Sequence, residues 1–429
     1  MTTLRTLFSL ALLVAFSSAC SDKVDDLPPG PEPICENDEA NPDKCDTCVC
    51  PGGYIPEDRT AGPGEETSNC LLISSTDWMT SGSLSILDLD TNELLTDVTT
   101  YFQDSVLRVI DDEVYVLQRH LGDSVIKLDD RDTYSIAWEE SVRTDEIPIP
   151  NPHDMVRVGD YFYITYYNDG RIVQANADPM CTCDFLTGVE YRIPPPEWDG
   201  AFSEISQMKV VDGILYVGSE GLDDSWRCGS RSDGSPNRSR IYALYPDTLT
   251  PAPVFENGQT WKELSFCNMR DWIDLPDGRT LVYSLGNYRQ YGELENDGGI
   301  EIIDLHNPTA PPEVQAVEGD FGTYDIFGVF LHDDTFYVSL VGELAIPIYL
   351  YKLDTSTPGA WALDGDPLYE GNLWGAVGWG DELFVVERNG GFEGVIRIDT
   401  ETGEKSADPI LTPIAPETLT LFQRVGGCW

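Results

Sequence analysis

Histidine is scarce in this 429-residue chain, with four residues at His120, His153, His306 and His332. Their spacing matches no metal-binding motif, and the chain contains no HExxH, GxSxG, GxxxxGK[ST] or CxxCH. Zincin proteases, nucleophile-elbow hydrolases, P-loop NTPases and c-type haem attachment are thereby excluded. Basic residues are also few: 26 Lys and Arg face 75 Asp and Glu, a formal net charge of −49. Such a surface repels nucleic-acid phosphates and anionic lipid, which removes both as partners. Past the N-terminus no apolar run is long enough to span a bilayer. Helix-forming runs are scarce, whereas 38 Gly, 29 Pro and 45 aromatic residues (10 Trp, 20 Tyr, 15 Phe) accompany many β-branched ones. That composition favours strands and turns.

The acidity has two readings, a solvated surface adapted to salt or a surface that binds cations, calcium or another divalent metal among them. The first residues, MTTLRTLFSLALLVAFSSAC, carry a positive Arg5, an apolar run and small residues before Cys20. They read as a secretory signal over 1–19, too short for a membrane span. The cysteine followed by SDKVDDLPPGPEP resembles a bacterial lipoprotein signal, although Ser17 stands where a Leu is usual. The resemblance implies a lipid on Cys20 and a cell-envelope location, with membrane contact only through that anchor; simple secretion is the alternative.

Residues 20–69 are rich in Pro, Gly, acidic residues and Cys, and read as a tether with a Cys-stapled segment. Apart from Cys20 there are ten cysteines: Cys35, Cys45, Cys48, Cys50, Cys70, Cys181, Cys183, Cys228, Cys267 and Cys428. In an exported chain an even number points to disulfides rather than a zinc site.

From residue 70 to 429 the chain repeats. An alternating strand follows an acidic or Gly turn in DDEVYVLQ (111–118), GDYFYITYY (159–167), DGILYVGSE (212–220), DGRTLVYSLG (277–286), DDTFYVSLV (333–341) and GDELFVVER (380–388). CLLISSTDW (70–78) is a seventh copy without the turn. Each copy is followed by another strand, and all but the first are preceded by one. Seven antiparallel meanders of this length describe the blades of a propeller. The strand absent before residue 70 is found at the other end of the chain, in ETLTLFQRV (417–425). The expected fold is therefore an all-β seven-bladed propeller closed by pairing its last strand with its first blade. Cys70 and Cys428 then become neighbours and are expected to bridge; Cys228–Cys267 is a second expected bridge, and Cys181–Cys183 a local third. The repeats resemble secreted seven-bladed propellers of the YVTN and quinoprotein-like type, and more narrowly bacterial cell-surface propeller lipoproteins, some of them linked to siderophore and iron uptake.

The inner strands of such a ring line its channel. Aligned on the turns, Asp154 matches Gln207 and Asp271, while Val106, Gly328 and Gly375 hold the other places. His153, Asp154, Gln207, Arg270 and Asp271 are thus candidates for a ligand or metal site at the channel mouth. A histidine with carboxylates can ligate a divalent ion or act as a base. The same residues can instead satisfy the backbone of neighbouring blades. The insertion at 220–240, with Trp226, Arg227 and Arg231, is a candidate partner loop. The leading expectation is a monomeric, non-enzymatic propeller that binds a protein, glycan or small ligand. A metal-dependent hydrolase or lactonase, and an accessory protein for iron uptake, are the alternatives.

Overall fold

The computed structural model describes residues 67–429 apart from 78, 130–133, 180–183, 195–203, 223–226, 230–236, 288–296, 343–346, 390–391, 426–427 and 429. The signal, the tether, Cys20, Cys35, Cys45, Cys48, Cys50, Cys181, Cys183, Trp226 and Arg231 lie outside the described residues.

Seven antiparallel sheets follow one another along the chain. The first blade contains β1 (Thr67–Thr76), β2 (Gly82–Asp88) and β3 (Leu94–Tyr101). The second contains β4 (Ser105–Ile110), β5 (Glu113–Gln118), β6 (Ser124–Asp129) and β7 (Ser135–Ser141). The third contains β8 (Pro152–Val158), β9 (Tyr161–Tyr166), β10 (Arg171–Asn176) and β11 (Leu186–Arg192). The fourth contains β12 (Ile205–Val211), β13 (Ile214–Ser219), β14 (Arg240–Tyr245), β15 (Thr250–Pro251) and β16 (Trp261–Glu263). The fifth contains β17 (Met269–Asp274), β18 (Thr280–Ser284), β19 (Gly299–Ile303) and β20 (Glu313–Val317). The sixth contains β21 (Asp325–His332), β22 (Thr335–Val341), β23 (Ile348–Asp354) and β24 (Ala362–Gly371). The seventh contains β25 (Leu373–Trp379), β26 (Glu382–Asn389) and β27 (Phe392–Asp399). The last strand, β28 (Pro416–Val425), returns to pair with β1 and becomes the inner strand of the first blade, in the order β28-β1-β2-β3. The chain is a seven-bladed β-propeller with the closure its sequence implies.

Local chemistry explains the meanders. The turns after β4, β12 and β21 are two residues long, and both residues have positive φ: Asp111 and Asp112, Asp212 and Gly213, Asp333 and Asp334. Asp and Gly tolerate that region, and the resulting hairpin twist matches that of the strands. The second strand of each blade is buried on both faces, as in β5, whose Tyr115, Val116 and Leu117 are 0% exposed. Apolar layers fill the spaces between blades. Tyr115 of the second blade, for example, meets Phe162 of the third edge-on, with ring centroids 5.2 Å apart.

Two disulfides are present among the described residues. Cys70–Cys428 joins the start of β1 to the end of the chain, with Cα atoms 5.7 Å apart. Cys228–Cys267 ties the insertion of the fourth blade to the segment before β17, with Cα atoms 5.8 Å apart. Carboxylates add further clasps between loops. Both oxygens of Glu301 accept the Ser265 N–H at 3.1 Å. Glu318 accepts the N–H groups of Gly298 at 3.0 Å and Ile326 at 3.2 Å. Burial raises the pKa of Glu301 to about 7 and of Glu318 to about 8.

Candidate site at the channel mouth

The innermost strands β28, β4, β8, β12, β17, β21 and β25 neighbour one another in turn around the ring. All run in the same direction, so their first residues share one face of the molecule. The last residues of the second strands, which run the other way, lie on that face too.

Six of the seven inner strands carry a β-bulge at their first residues. Pairing skips Ser206 in β12, Arg270 in β17, Phe327 in β21, Trp374 in β25 and Glu417 in β28. In β8 it skips His153 and Asp154. Only β4 pairs without a shift. A bulge bends its strand and re-aims the extra side chain, and bulges concentrate at rims and next to functional sites. The strands thus present a ring of unlike residues at one level of the mouth. A second level comes from the ends of the second strands. The seventh residues counted from the start of β5, β9, β13 and β26 are Arg119, Tyr167, Glu220 and Arg388.

The candidates divide between these levels. Asp154 is 4% exposed and holds three blades together. One oxygen accepts the Arg108 Nε–H at 2.6 Å and the Met155 N–H at 2.9 Å. The other accepts the Met208 N–H of the next inner strand at 2.6 Å. Its own N–H donates to Thr165 Oγ1 at 2.8 Å. Both oxygens are therefore committed to the fold, which is the structural role rather than that of a base or metal ligand.

His153 stacks on Tyr167 with ring centroids 4.0 Å apart and an interplanar angle of 16°. Burial, and then the guanidinium groups of Arg119, Arg270 and Arg108, hold its pKa well below that of an ordinary imidazole. The ring is neutral at neutral pH. Tyr167 donates its hydroxyl proton to Glu220 Oε2 at 2.9 Å. Gln207 Nε2 donates to the Arg270 carbonyl at 3.3 Å, so its amide supports the bulge. Arg270 itself is exposed. Its charge acts on His153, Tyr167, Glu220, Asp271 and Glu417, groups that belong to the third, fourth, fifth and first blades. Asp271 is reached by water yet surrounded by protein, and loss of solvation raises its pKa. Burial likewise raises Glu220, and raises Glu417 to about 7.

Among the described residues no three His, Cys, Asp or Glu side chains come together in a geometry that would hold a metal. His153, Asp154 and Asp271 do not form the metal site that a hydrolase reading needs. The charges that act on His153 are those of three arginines, and a cation gains nothing from them.

Several residues at the mouth go beyond the turn alignment. Phe327, Trp374 and Glu417 are bulge residues, Arg119 follows the last residue of β5, and Arg388 is the last but one of β26. Trp374 is 42% exposed. Phe327 meets it edge-on, with centroids 6.4 Å apart at 83°, and the Arg388 guanidinium carbon lies 5.2 Å from its ring centroid. A signal for the second level is present in the repeats. Their final position reads Arg119, Tyr167, Glu220, Gly286, Val341 and Arg388, while the residues before it keep one apolar pattern.

The remaining histidines lie elsewhere. His306 Nδ1 meets Asp212 Oδ2 at 2.7 Å, and His332 Nε2 donates to the Gly380 carbonyl at 2.7 Å. Both contacts are with turns between inner and second strands, on the opposite face. His120 is exposed on the mouth face, and its backbone N–H donates to Asn151 Oδ1 at 3.1 Å. Arg227 of the insertion is exposed.

No protein-family model matches the chain, and no curated protein matches it in sequence. Solved structures do resemble it. A protein from Bacteroides fragilis provisionally assigned as a 6-phosphogluconolactonase is 13% identical with a TM-score of 0.52, covering 82% of this chain and 98% of its own. A protein from Lactobacillus plantarum is 15% identical with a TM-score of 0.51, covering 83% and 99%. A protein of unknown function from Desulfotomaculum acetoxidans is 13% identical with a TM-score of 0.50, covering 83% and 99%. These likenesses are of fold.

Proposed function

We propose that this propeller is a cell-envelope lipoprotein that binds a small ligand at the channel mouth without transforming it. The signal at 1–19 would export it, Cys20 would carry the lipid, and residues 20–69 would hold the ring away from the membrane. The disulfides favour an oxidising, extracytoplasmic compartment. No helix among the described residues is long and apolar enough to cross a membrane.

The observation that carries the reading is the row of six bulges at one level. Each gives up ladder pairing at the start of an inner strand. What stands there is not one repeated residue but His153, Ser206, Arg270, Phe327, Trp374 and Glu417. A ring that only had to close has no use for that variety. Binding is favoured over catalysis because Asp154 is occupied by backbone and Arg108, which leaves His153 without a carboxylate partner of its own.

Hydrogen exchange on the full chain tests this reading with panels of metabolites, glycans and peptides. A bound ligand should protect residues 152–156, 269–272, 325–328, 373–376 and 416–419. Protection confined to the turns of the opposite face would overturn it. Mass spectrometry of the mature N-terminus tests the anchor: a diacylglyceryl group on Cys20 is expected, and a chain beginning at an unmodified Ser21 would refute it.

A further inference from the structure

Resting on the reading of the mouth as a ligand site, we propose that its ligand is an aromatic carboxylate, with its ring against Trp374 and Phe327 and its carboxylate on Arg270.

Three observations lead there. The first is placement. Arg270, Phe327 and Trp374 are the bulge residues of three consecutive blades, the fifth, sixth and seventh, and so form one arc at one height. The aromatic part of the arc is open, since Trp374 is 42% exposed. The indole, which carries the Arg388 guanidinium over its ring and Phe327 at right angles to it, keeps enough exposed surface to stack on a planar ring. Arg270, the bulge residue one blade before Phe327, offers the parallel donors that match a carboxylate.

The second is the distribution of charge. The whole chain has 26 basic residues. Four arginines nevertheless come to this mouth from three blades: Arg108 and Arg119 from the second, Arg270 from the fifth and Arg388 from the seventh. Three of them reach His153 electrostatically. Four guanidiniums around one opening supply the donors that an anion needs.

The third is the state of the acids beside them. Asp154 is bonded to Arg108 and Asp104 to Arg119, at 2.6 and 2.8 Å. The pKa values of Glu220 and Glu417 are raised by burial. These carboxyls are therefore paired or resist ionisation, so they oppose an incoming carboxylate less than their number suggests. Glu417, at about 7, would take up a proton as the anion arrives, because added negative charge favours its neutral form.

The test is calorimetric titration of the full chain with benzoate, inorganic phosphate and benzylamine, with Arg270→Ala and Trp374→Ala beside the wild type. Benzoate is expected to bind, at least tenfold more weakly in each variant, with proton uptake seen as a dependence of the heat on buffer ionisation. Affinity should fall as pH rises from 6 to 8. If phosphate binds and benzoate does not, the site reads inorganic anions and the aromatic half is wrong. Tighter binding of benzylamine would overturn the charge argument. Circular dichroism melting of both variants separates lost binding from lost fold, and Arg270→Lys supplies a further check, since it keeps the charge but not the paired donors. Should benzoate fail while another ligand protects the mouth in hydrogen exchange, the ligand class is refuted and the site is not. Should nothing protect the mouth, both are.

Discussion

Asp154 offers the sharpest test of how the ring is held together, because one buried carboxylate serves three blades. Its oxygens accept from Arg108 on β4, from Met155 on its own strand and from Met208 on β12, at 2.6, 2.9 and 2.6 Å. Replacement by Ala removes the partner of a largely buried guanidinium and strands two backbone N–H groups. Breaking a buried ion pair from one side costs about 3–5 kcal/mol, and each orphaned N–H about 1–3 kcal/mol. The Arg108 side chain keeps 26% of its exposure, so water recovers part of the first loss. With that discount a total of roughly 4–9 kcal/mol follows for Asp154→Ala. Asp154→Asn keeps one acceptor but turns an NH2 group toward a donor, and should lose about 2–3 kcal/mol. Arg108→Met removes the charge that Asp154 answers. The double variant should therefore be more stable than the sum of the two single losses implies, by about 2 kcal/mol. Urea unfolding followed by tryptophan fluorescence and by far-ultraviolet circular dichroism, with coincident transitions, measures the four variants against the wild type. A loss below about 1 kcal/mol for Asp154→Ala, or strict additivity with Arg108→Met, would show that the carboxylate does not clamp the blades.

Other outcomes follow from the same structure. Cys428→Ser opens a bridge between residues 358 apart in sequence; loop-closure entropy sets its loss at about 5–6 kcal/mol as an upper figure, and limited proteolysis should begin at β28. Unchanged protease resistance would mean that the β1–β28 ladder closes the ring unaided. Cys228→Ser, across a separation of 39, should lose at most about 4 kcal/mol by the same relation. Stability should also fall as pH rises from about 4.5 to 8. Glu301 and Glu318 titrate at about 7 and about 8 in the fold against 4.5 for an ordinary glutamate, so over that window the folded chain holds protons the unfolded chain has released. For Glu318 the loss is on the order of 4 kcal/mol. Glu318→Gln should flatten the upper part of the profile in urea midpoints taken from pH 5 to 9, and a profile that keeps its slope in that variant would remove Glu318 as its source.

How much of this was legible in the sequence depends on distance from the hairpin turns. Close to them, period-two alternation and paired Asp or Gly residues at positive φ fix the register, and strand after strand can be counted. That suffices for seven blades, for closure by 417–425, and for placing Cys70 beside Cys428. Counting outward from the same turns along the inner strands also reaches Asp154, Gln207 and Asp271 correctly. One residue further the count fails, because the bulge inserts a residue that the partner strand does not match. Alternation is silent about an insertion of one at the end of a strand, where no further pair is left to reveal the slip. Gly328 and Gly375 therefore looked like empty places at the mouth, although the residues beside them are Phe327 and Trp374. His153 and Asp154 looked like a pair because they are adjacent, but their side chains take different tasks: one is stacked on Tyr167 among guanidiniums, the other clamps three blades. The second strands carry no such slip, since their pairing is continuous up to their ends. There the varying last position of an otherwise uniform repeat marked Arg119, Tyr167, Glu220 and Arg388. In a ring of repeats, the position that refuses to repeat is where a ligand site is to be sought, and for the inner strands that position lies one residue beyond where alternation stops counting.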